Sequence, residues 1–376
     1  MIQLTQPHNV AGVIESQLLD AIMQGPSHLP KDPYIESALD LLFGDYNWTL
    51  SFTKTQIIVY DEVMLPEILP VLHKWLRKKT ADISNIILLT THHTGITRWW
   101  KQYCSTWQEQ SFQIQELFFT NSNSESNRWF KNMGEIPPMD FFKTHKNIKY
   151  LFSYYGGSYS NLEREYLLLK MLELSDNSLI DFIGVVKDKQ QILNYAEHIT
   201  YYKNQIEIDA LSARYDRFIN SNGKLKNVNI IQTNSKSRAP GLLDPPPLDF
   251  TGFQWEVDSM CFCGIIRETI NNAVYSCVTE KTMRSFLNHQ TVIPIGYSAV
   301  SDLEEKGFWF PHDLVDYNYQ FETGFENRLN GMLNSIRELI TSYSMQTLQE
   351  YFNLNLAKYY ANAKLVYKLN SERQDY

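Results

Sequence analysis

The sequence predicts an α/β protein with two Rossmann-like domains, each built around a parallel β-sheet. Its length of 376 residues is more than one hydrophobic core usually supports. Short apolar runs alternate along the chain with segments of helical periodicity, which is the pattern of parallel strands joined by helices. The alternation is interrupted at residues 134–138, which contain two consecutive prolines, and then resumes. We therefore expect residues 1–145 to form a first domain and residues 146–340 a second domain.

The first domain is predicted to contain three buried strands. Each is an apolar run that ends in polar residues, as is typical of parallel strands covered on both faces. We expect these strands at residues 56–60, 85–91 and 114–119, and helices at residues 66–76 and 99–107. The first 40 residues are predicted to be mainly helical.

The second domain is predicted to repeat this alternation. Its expected strands lie at residues 148–154, 179–186, 255–266 and 291–296, and its expected helices at residues 162–174 and within 188–220. Gly156 and Gly157 are interpreted as a turn, and the three prolines at residues 245–247 as an extended connector. Residues 341–376 are predicted to be C-terminal helices that pack back on the first domain.

Composition and charge indicate a soluble globular protein. Hydrophobic residues make up 43% of the chain and charged residues 20%, and the net charge is −8. An acidic balance disfavours a broad basic face for nucleic acid, although it leaves room for a local basic groove. No apolar run is long enough to span a membrane, and the first residues show no signal peptide. We therefore expect a cytoplasmic protein.

The four cysteines, at positions 104, 261, 263 and 277, are scattered along the chain. They show neither a paired disulfide framework nor the second Cys or His pair of a zinc site. Cys261 and Cys263 lie on a predicted strand, where buried reduced thiols are the expected state.

The segment Thr279-Glu280-Lys281-Thr282 is the most informative candidate for a binding site. It is interpreted as a helix start, where unpaired backbone N–H groups and a partial positive charge attract phosphate. A carboxylate beside an ammonium suits a nucleotide sugar, because Glu280 can accept the ribose hydroxyls while Lys281 faces the diphosphate. The alternative is an ordinary helix start, with Thr279 as the N-cap and a solvated Glu–Lys pair.

Two further residues are expected at the same edge of the second sheet. Arg164 comes early in the helix that follows the predicted strand and the Gly156-Gly157 turn, in a place suited to a phosphate contact. The alternative is a surface arginine that pairs with Glu163 or Glu165, and it stays open. Glu268 ends the predicted strand that precedes Thr279, and it is a candidate for binding a sugar or ribose hydroxyl.

The first domain offers three candidates for a general base. Asp61 and Glu62 follow one predicted strand, and His92 follows the next. A general base needs a carboxylate or imidazole whose pKa can be shifted toward neutrality. Any polar residue at a strand end would occupy the same topological place, so the choice among the three stays open.

Several motifs are absent from the sequence. It contains no Asp-x-Asp metal pair, no phosphate loop, no G-x-G-x-x-G fingerprint and no H-E-x-x-H zinc helix. These absences argue against the common NTPase, dehydrogenase and zinc-protease classes. We expect no metal and no cofactor, with the diphosphate charge met by Lys281, Arg164 and helix N-termini.

The order of these segments resembles a known family. The strand ending in Glu268-Thr269, the Val278-Thr279-Glu280-Lys281-Thr282 segment and the apolar residues 292–296 resemble the donor half of fucosyltransferase-type GT-B glycosyltransferases. The chain is also similar to a group of glycosyltransferase-like proteins of phages and large viruses, in which a Gly-Phe segment and an Asp/Tyr-rich stretch follow. Here these are Gly307-Phe308 and residues 316–319, and Gln320 stands where similar sequences carry another acid.

This resemblance implies a GT-B architecture, with two Rossmann-like domains that face a central cleft. It implies an inverting, metal-independent glycosyltransferase that takes a nucleotide sugar as co-substrate and a glycan or related hydroxyl compound as acceptor. One alternative is a phage enzyme, active in the host cytoplasm, that glycosylates a hydroxymethylated DNA base. Another is a non-catalytic module that binds a nucleotide or a sugar.

Overall fold

In the computed structural model of the protein, sixteen stretches of the chain are described. They are residues 8–14, 32–46, 55–60, 68–80, 82–90, 93–105, 111–116, 136–157, 162–172, 174, 178–183, 189–199, 205–221, 260–267, 276–278 and 280–371. The chain divides into two compact units. The first comprises Met1–Asn127, Val274–Val278 and Ser371–Tyr376, and the second comprises Arg128–Ala273 and Thr279–Asn370.

The first unit contains a four-stranded parallel sheet. Its elements up to residue 116 are β1 (His8–Ile14), α1 (Asp32–Phe43), β2 (Thr55–Tyr60), α2 (Ile68–Lys79), β3 (Ile86–Thr90), β4 (His93–Thr94), α3 (Ile96–Ser105) and β5 (Gln113–Glu116). The sheet has the strand order β1-β2-β3-β5, and each neighbouring pair is parallel. All five residues of β3 are buried, as expected for a central strand covered on both faces.

Helix α2 shows how the first unit builds its core. Its apolar side chains recur at helical spacing, so they form one buried face that includes Leu69, Leu72 and Leu76. Trp75 on the same helix is 1% exposed, and its indole N–H donates to Asp40 Oδ1 of α1 at 2.9 Å. This bond satisfies the polar atom of a buried ring and joins α1 to α2.

The second unit contains another four-stranded parallel sheet. Its first elements are α4 (Met139–His145), β6 (Tyr150–Gly157), α5 (Leu162–Met171), β7 (Ser178–Ile183), α6 (Lys189–Ile199), α7 (Gln205–Phe218) and β8 (Cys261–Arg267). The chain then contributes β9 (Ser276–Cys277) to the first unit, where it pairs antiparallel with β4. The remaining elements are α8 (Glu280–Leu287), β10 (Thr291–Ile295), α9 (Ala299–Glu304), a 3₁₀ turn (Asn318–Phe321), α10 (Phe325–Ser342) and α11 (Met345–Ser371). The strand order of this sheet is β10-β8-β6-β7.

The edge strand β10 is covered by tyrosines of the Asp/Tyr-rich stretch. Tyr317 donates its hydroxyl to the carbonyl of Val292 at 3.1 Å, and Tyr319 donates to the carbonyl of Pro294 at 3.0 Å. Pro294 has no backbone N–H, so the open side of the strand lacks one donor that would need a partner. These contacts close the edge of the sheet, and they give the Asp/Tyr-rich stretch a structural role.

The predicted fold class is confirmed: the protein is α/β, with two parallel sheets and long helices at the carboxyl end of the chain. Cys261 and Cys263 are buried and form no disulfide bond, in agreement with the sequence analysis. Among the described helices, none is long and apolar enough to cross a membrane.

Two local predictions are wrong. The N-terminal residues His8–Ile14 form a strand rather than a helix, because they pair in parallel with β2 at the edge of the first sheet. Gly156 and Gly157 are the last residues of β6 rather than a turn, since they pair with Phe182 and Ile183 of β7. In both cases pairing with a neighbouring strand outweighs the local preference.

The described contacts of α11 are with the second unit. Tyr360 lies 6.1 Å from Phe142 of α4 between ring centroids, and the amide of Asn362 bonds both the N–H and the carbonyl of Trp309, each at 2.8 Å. The packing of residues 341–376 on the first domain stays a prediction.

Candidate functional site

The second sheet reverses its direction of growth between β6 and β8. From β6 the chain passes through α5 to β7 on one side, and from β8 it passes through α8 to β10 on the other side. Right-handed crossovers place such helices on opposite faces of the sheet. Open α/β sheets bind ligands in the crevice outside the carboxyl ends of their strands, at the point where the strand order reverses.

Helix α8 is packed closely against this sheet. Met283, Phe286 and Leu287 are buried, and the ring of Phe286 stacks on that of Phe308 with centroids 4.4 Å apart. Gly264 of β8 faces the helix, and a Cβ at this position would clash with Ser285 Oγ. The absence of a side chain at Gly264 thus allows the backbone of β8 to approach the helix.

The residue after the α8 turn ties the helix to the central strand. Gln290 donates from Nε2 to the Oγ of Ser153 in β6 at 3.0 Å, and a Cβ on Gly264 would lie 2.7 Å from its Oε1. Gln290 and Ser153 are 2% and 1% exposed, so the bond is made in a dry environment.

A buried lysine fixes the carboxyl-terminal end of α8. Lys146 follows α4 and is 3% exposed. Its ammonium donates to the carbonyls of Asn288 at 2.9 Å and Cys261 at 3.3 Å, and it lies 5.1 Å from the ring centroid of Phe352. Cys261 begins β8 and Asn288 follows α8, so these contacts lie at the amino edge of the sheet. The start of α8 therefore lies at the opposite, carboxyl edge.

His289 completes this anchor in an unusual backbone conformation. Its φ of 53° is in the left-handed region, and its ring stacks on that of Phe142 with centroids 3.8 Å apart. Burial, with a further contribution from the charge of Lys146, lowers the pKa of His289 from 6.5 to about 3. Nδ1 lies 2.9 Å from the carbonyl of Leu287, so the neutral ring donates there.

Three candidate donor-binding residues begin helices at the carboxyl edge. Arg164 is the third residue of α5, and Glu280 and Lys281 are the first two of α8. The topology therefore brings these backbone positions to one edge of one sheet, although their side chains lie outside the described part. Thr282 is buried at 1% exposure, so a ligand would reach its hydroxyl only if neighbouring residues moved.

The other candidates lie outside the described residues. They are Glu268 and Thr279 in the second unit, and Asp61, Glu62 and His92 in the first. Glu268 follows the last residue of β8, and Asp61 follows the last residue of β2, so both come at the strand ends where the sequence predicts them. The assignment of donor-binding and general-base roles to all of these residues stays a prediction.

Sequence reasoning missed the buried ionisable side chains beside Arg164. Glu165 in the first turns of α5 is 1% exposed, and Lys170 on the same helix is 8% exposed. Burial raises the pKa of Glu326 in the first turn of α10, and the charge of Lys170 opposes this rise. The signal was present in the sequence, since Glu165 and Lys170 flank the apolar residues Tyr166–Leu169.

Gln320 is a second residue whose role was not foreseen. Its Oε1 accepts the N–H groups of Val300 at 2.9 Å and Ser301 at 3.1 Å, so it caps the first turn of α9 from a distant part of the chain. Ser298, which precedes α9, has a φ of 52° and directs its hydroxyl to Asp302 at 2.9 Å instead.

Within the described ranges, no three His, Cys, Asp or Glu side chains are grouped so that they could hold a metal ion.

Comparison with protein-family models and with curated proteins finds no match. Among solved structures, trehalose-6-phosphate synthase OtsA is 10% identical, with a TM-score of 0.38, over 91% of this chain and 73% of that chain. A trehalose-6-phosphate structure from E. coli, bound with UDP-2-fluoro glucose, is 11% identical, with a TM-score of 0.40, over 96% and 84%. The apo structure of OtsA is 9% identical, with a TM-score of 0.36, over 91% of this chain and 74% of that chain.

Proposed function

We propose that the protein is a glycosyltransferase that moves a sugar from a nucleoside-diphosphate donor to an acceptor hydroxyl. The observation that carries this proposal is the reversal of strand order between β6 and β8. The helix on one side of that reversal carries Arg164 as its third residue, and the helix on the other side begins with Glu280-Lys281. Cations at helix starts beside such a crevice suit a diphosphate.

Each of these residues has a distinct role in the proposal. Lys281 and Arg164 neutralise the two phosphates, aided by the backbone N–H groups at the start of α8. Glu280 accepts hydrogen bonds from the ribose hydroxyls, and Glu268 binds a ribose or sugar hydroxyl. Thr279 and Thr282 are also assigned to donor binding, and the buried Thr282 would reach the donor only if neighbouring residues moved. The anchors at Gln290 and Lys146 hold α8 so that its first residues keep their place at the edge.

The proposed reaction is a single inverting displacement without a required metal. The acceptor oxygen forms a bond to the anomeric carbon as the bond from that carbon to the diphosphate oxygen breaks. A general base, Glu62, Asp61 or His92, takes the acceptor proton. The nucleoside diphosphate leaves with the electron pair of the broken bond, and Lys281 and Arg164 stabilise its added negative charge.

Isothermal titration calorimetry with UDP, GDP, ADP and dTDP tests the donor half of this proposal. We expect one diphosphate to bind, and the matching nucleotide sugar to be hydrolysed slowly or transferred in the presence of an acceptor. Binding of a diphosphate with neither hydrolysis nor transfer would favour a non-catalytic module. If none of the four nucleotides binds, the proposal is wrong.

Assays of hydrolysis and transfer of the nucleotide sugar test the metal requirement and the acceptor class. We expect hydrolysis of the nucleotide sugar to persist in EDTA. Transfer to DNA with a hydroxymethylated base, with a rate that falls steeply as salt rises, would instead favour the phage DNA enzyme.

A further inference from the structure

Phe321 is the aromatic member of a small set of exposed apolar side chains. Within the part of the chain that the structure describes, the large hydrophobic residues that are exposed are Leu41, Met139, Phe321 and Leu354. Phe321 is 51% exposed and is the last residue of the 3₁₀ turn. A single exposed leucine or methionine is common on a protein surface, but a phenylalanine ring also offers a flat face on which another ring can stack.

The 3₁₀ turn places Phe321 at the carboxyl edge of the second sheet. The two tyrosines that cover β10 bond successive carbonyls of that strand in order, so the chain that leads to Phe321 follows β10 in the same direction. The N–H of Ser298, which comes three residues after the end of β10, donates to the carbonyl of Gln320 at 3.2 Å. Phe321 therefore lies just beyond the carboxyl end of β10, at the edge where α8 begins.

The residues on both sides of Phe321 fix its position. The side-chain oxygen of Gln320 accepts two N–H groups of α9, and the carbonyl of Glu322 accepts a bond from Arg328 Nη1 at 2.9 Å. The ring of Tyr297 is nearly perpendicular to the ring of Phe321, with centroids 6.3 Å apart. A ring that is held in this way is ordered before a ligand binds, so stacking on it costs little conformational entropy.

The order of residues along this edge matches the order of groups in a nucleoside diphosphate. Arg164 lies on the β6 side of the reversal in strand order, and α8 packs against β8 and β10 on the other side. Phe321 comes beyond β10, so the start of α8 lies between Arg164 and Phe321. In the proposed function the phosphates contact Arg164 and Lys281, and the ribose contacts Glu280. The base then points along the edge away from Arg164, toward Phe321.

From this arrangement we propose that Phe321 binds the nucleobase of the donor by stacking on it. The inference rests on the proposed glycosyltransferase function, because it extends the donor site from the diphosphate and the ribose to the base. A nucleobase is planar, and it removes the exposed ring of Phe321 from water when the two rings stack. Every base has a π-face, so Phe321 raises the affinity for nucleotides over inorganic pyrophosphate and does not select one base.

Calorimetry on the full chain tests this contact with UDP, GDP, ADP and dTDP and with inorganic pyrophosphate, which lacks a base. We expect Phe321→Ala to weaken the nucleoside diphosphate that the wild type binds about tenfold, and to change the affinity for pyrophosphate less than about twofold. Phe321→Trp keeps a stacking ring and should stay within about threefold of the wild type. Phe321→Leu keeps apolar bulk without a ring and should bind as weakly as Phe321→Ala. Leu354→Ala is the control, since it removes an apolar side chain of the same unit that is 85% exposed.

The remaining outcomes separate this inference from the proposed function. Wild-type affinity for the nucleoside diphosphate in Phe321→Ala or in Phe321→Leu would overturn the stacking contact. An equal loss of affinity for the nucleoside diphosphate and for pyrophosphate in Phe321→Ala would also overturn it, because the base would then make no difference. Lys281→Ala in the same series reports on the diphosphate contact. If Lys281→Ala loses affinity and Phe321→Ala does not, only the base contact fails, whereas a wild type that binds none of the nucleotides contradicts both proposals.

Discussion

Gln290 and Ser153, separated by 137 residues in the sequence, form a buried hydrogen bond of 3.0 Å that connects the turn after α8 to the central strand β6. This bond, with the close approach of α8 to Gly264, holds the helix that begins with Glu280 and Lys281. The geometry of the candidate site therefore depends on residues at the far end of α8.

Gln290→Ala is expected to lower the free energy of unfolding by about 1–3 kcal/mol, because Ser153 would lose a buried partner. Urea unfolding followed by circular dichroism measures this change. Gln346→Ala is the matched control, since Gln346 is exposed on α11 and its side-chain amide donates to Glu350 one turn away. Equal effects of the two substitutions would contradict the anchoring role of Gln290.

Gly264→Ala is expected to destabilise the protein by about 1–3 kcal/mol, because the added methyl group has no space between β8 and α8. The new Cβ would clash with Ser285 Oγ and lie 2.7 Å from Gln290 Oε1, and Gln290 is itself held by Ser153. Thermal unfolding of the variant measures the effect. An unchanged melting temperature would show that α8 is packed less tightly than described.

Acid is expected to destabilise the protein through His289. The folded state lowers the pKa of this ring from 6.5 to about 3, so the folded protein binds fewer protons than the unfolded chain between these values. The stability that His289 contributes is complete above about pH 6.5 and is lost progressively as the pH falls toward about 3. At pH 5 the expected loss is about 2 kcal/mol.

Urea midpoints at pH 7 and pH 5 measure this loss. His289→Asn removes the titrating group and keeps a residue that tolerates a positive φ, so its stability should vary less between the two pH values. His145→Asn is the control, because His145 is exposed on α4. If the pH dependence of His289→Asn equals that of the wild type, the protons are taken up elsewhere.

Gln320→Ala is expected to destabilise the protein by about 1–2 kcal/mol, because two N–H groups at the start of α9 would lose their acceptor. Differential scanning calorimetry gives the comparison with Asn327→Ala, which removes an exposed amide that bonds the carbonyl of Thr323. A smaller effect for Gln320 than for Asn327 would argue against the cap.

The sequence predicted the fully buried strands well because their composition alone determines them. β3 and β10 are buried along their whole length, and each is an uninterrupted run of residues that suit a covered strand. β1 was missed because it is an edge strand that contains polar residues and Gly12. Its pairing with β2 joins residues about 50 positions apart, which no local pattern reveals.

The scaffold of the candidate site was less visible in the sequence. The sequence does not indicate that Lys146 is buried, because lysine side chains are almost always exposed. Its burial depends on acceptors that only the folded chain supplies, namely the carbonyls of Cys261 and Asn288. The capping amide of Gln320 likewise serves a helix about 20 residues away. Spacing along the chain did place Arg164 and Glu280-Lys281 at helix starts of one sheet, because strand–helix alternation determines that edge.

The affinity of Lys281→Ala for the nucleoside diphosphate that the wild type binds tests the central claim most directly. Loss of a charge-assisted contact worth about 1.5–3 kcal/mol predicts a Kd at least about tenfold weaker. Arg337→Ala removes the same charge from an exposed position on α10, where it bonds Asn334, and its Kd should stay within about twofold of the wild type. Equal affinities of the wild type and Lys281→Ala would contradict a diphosphate site at the start of α8.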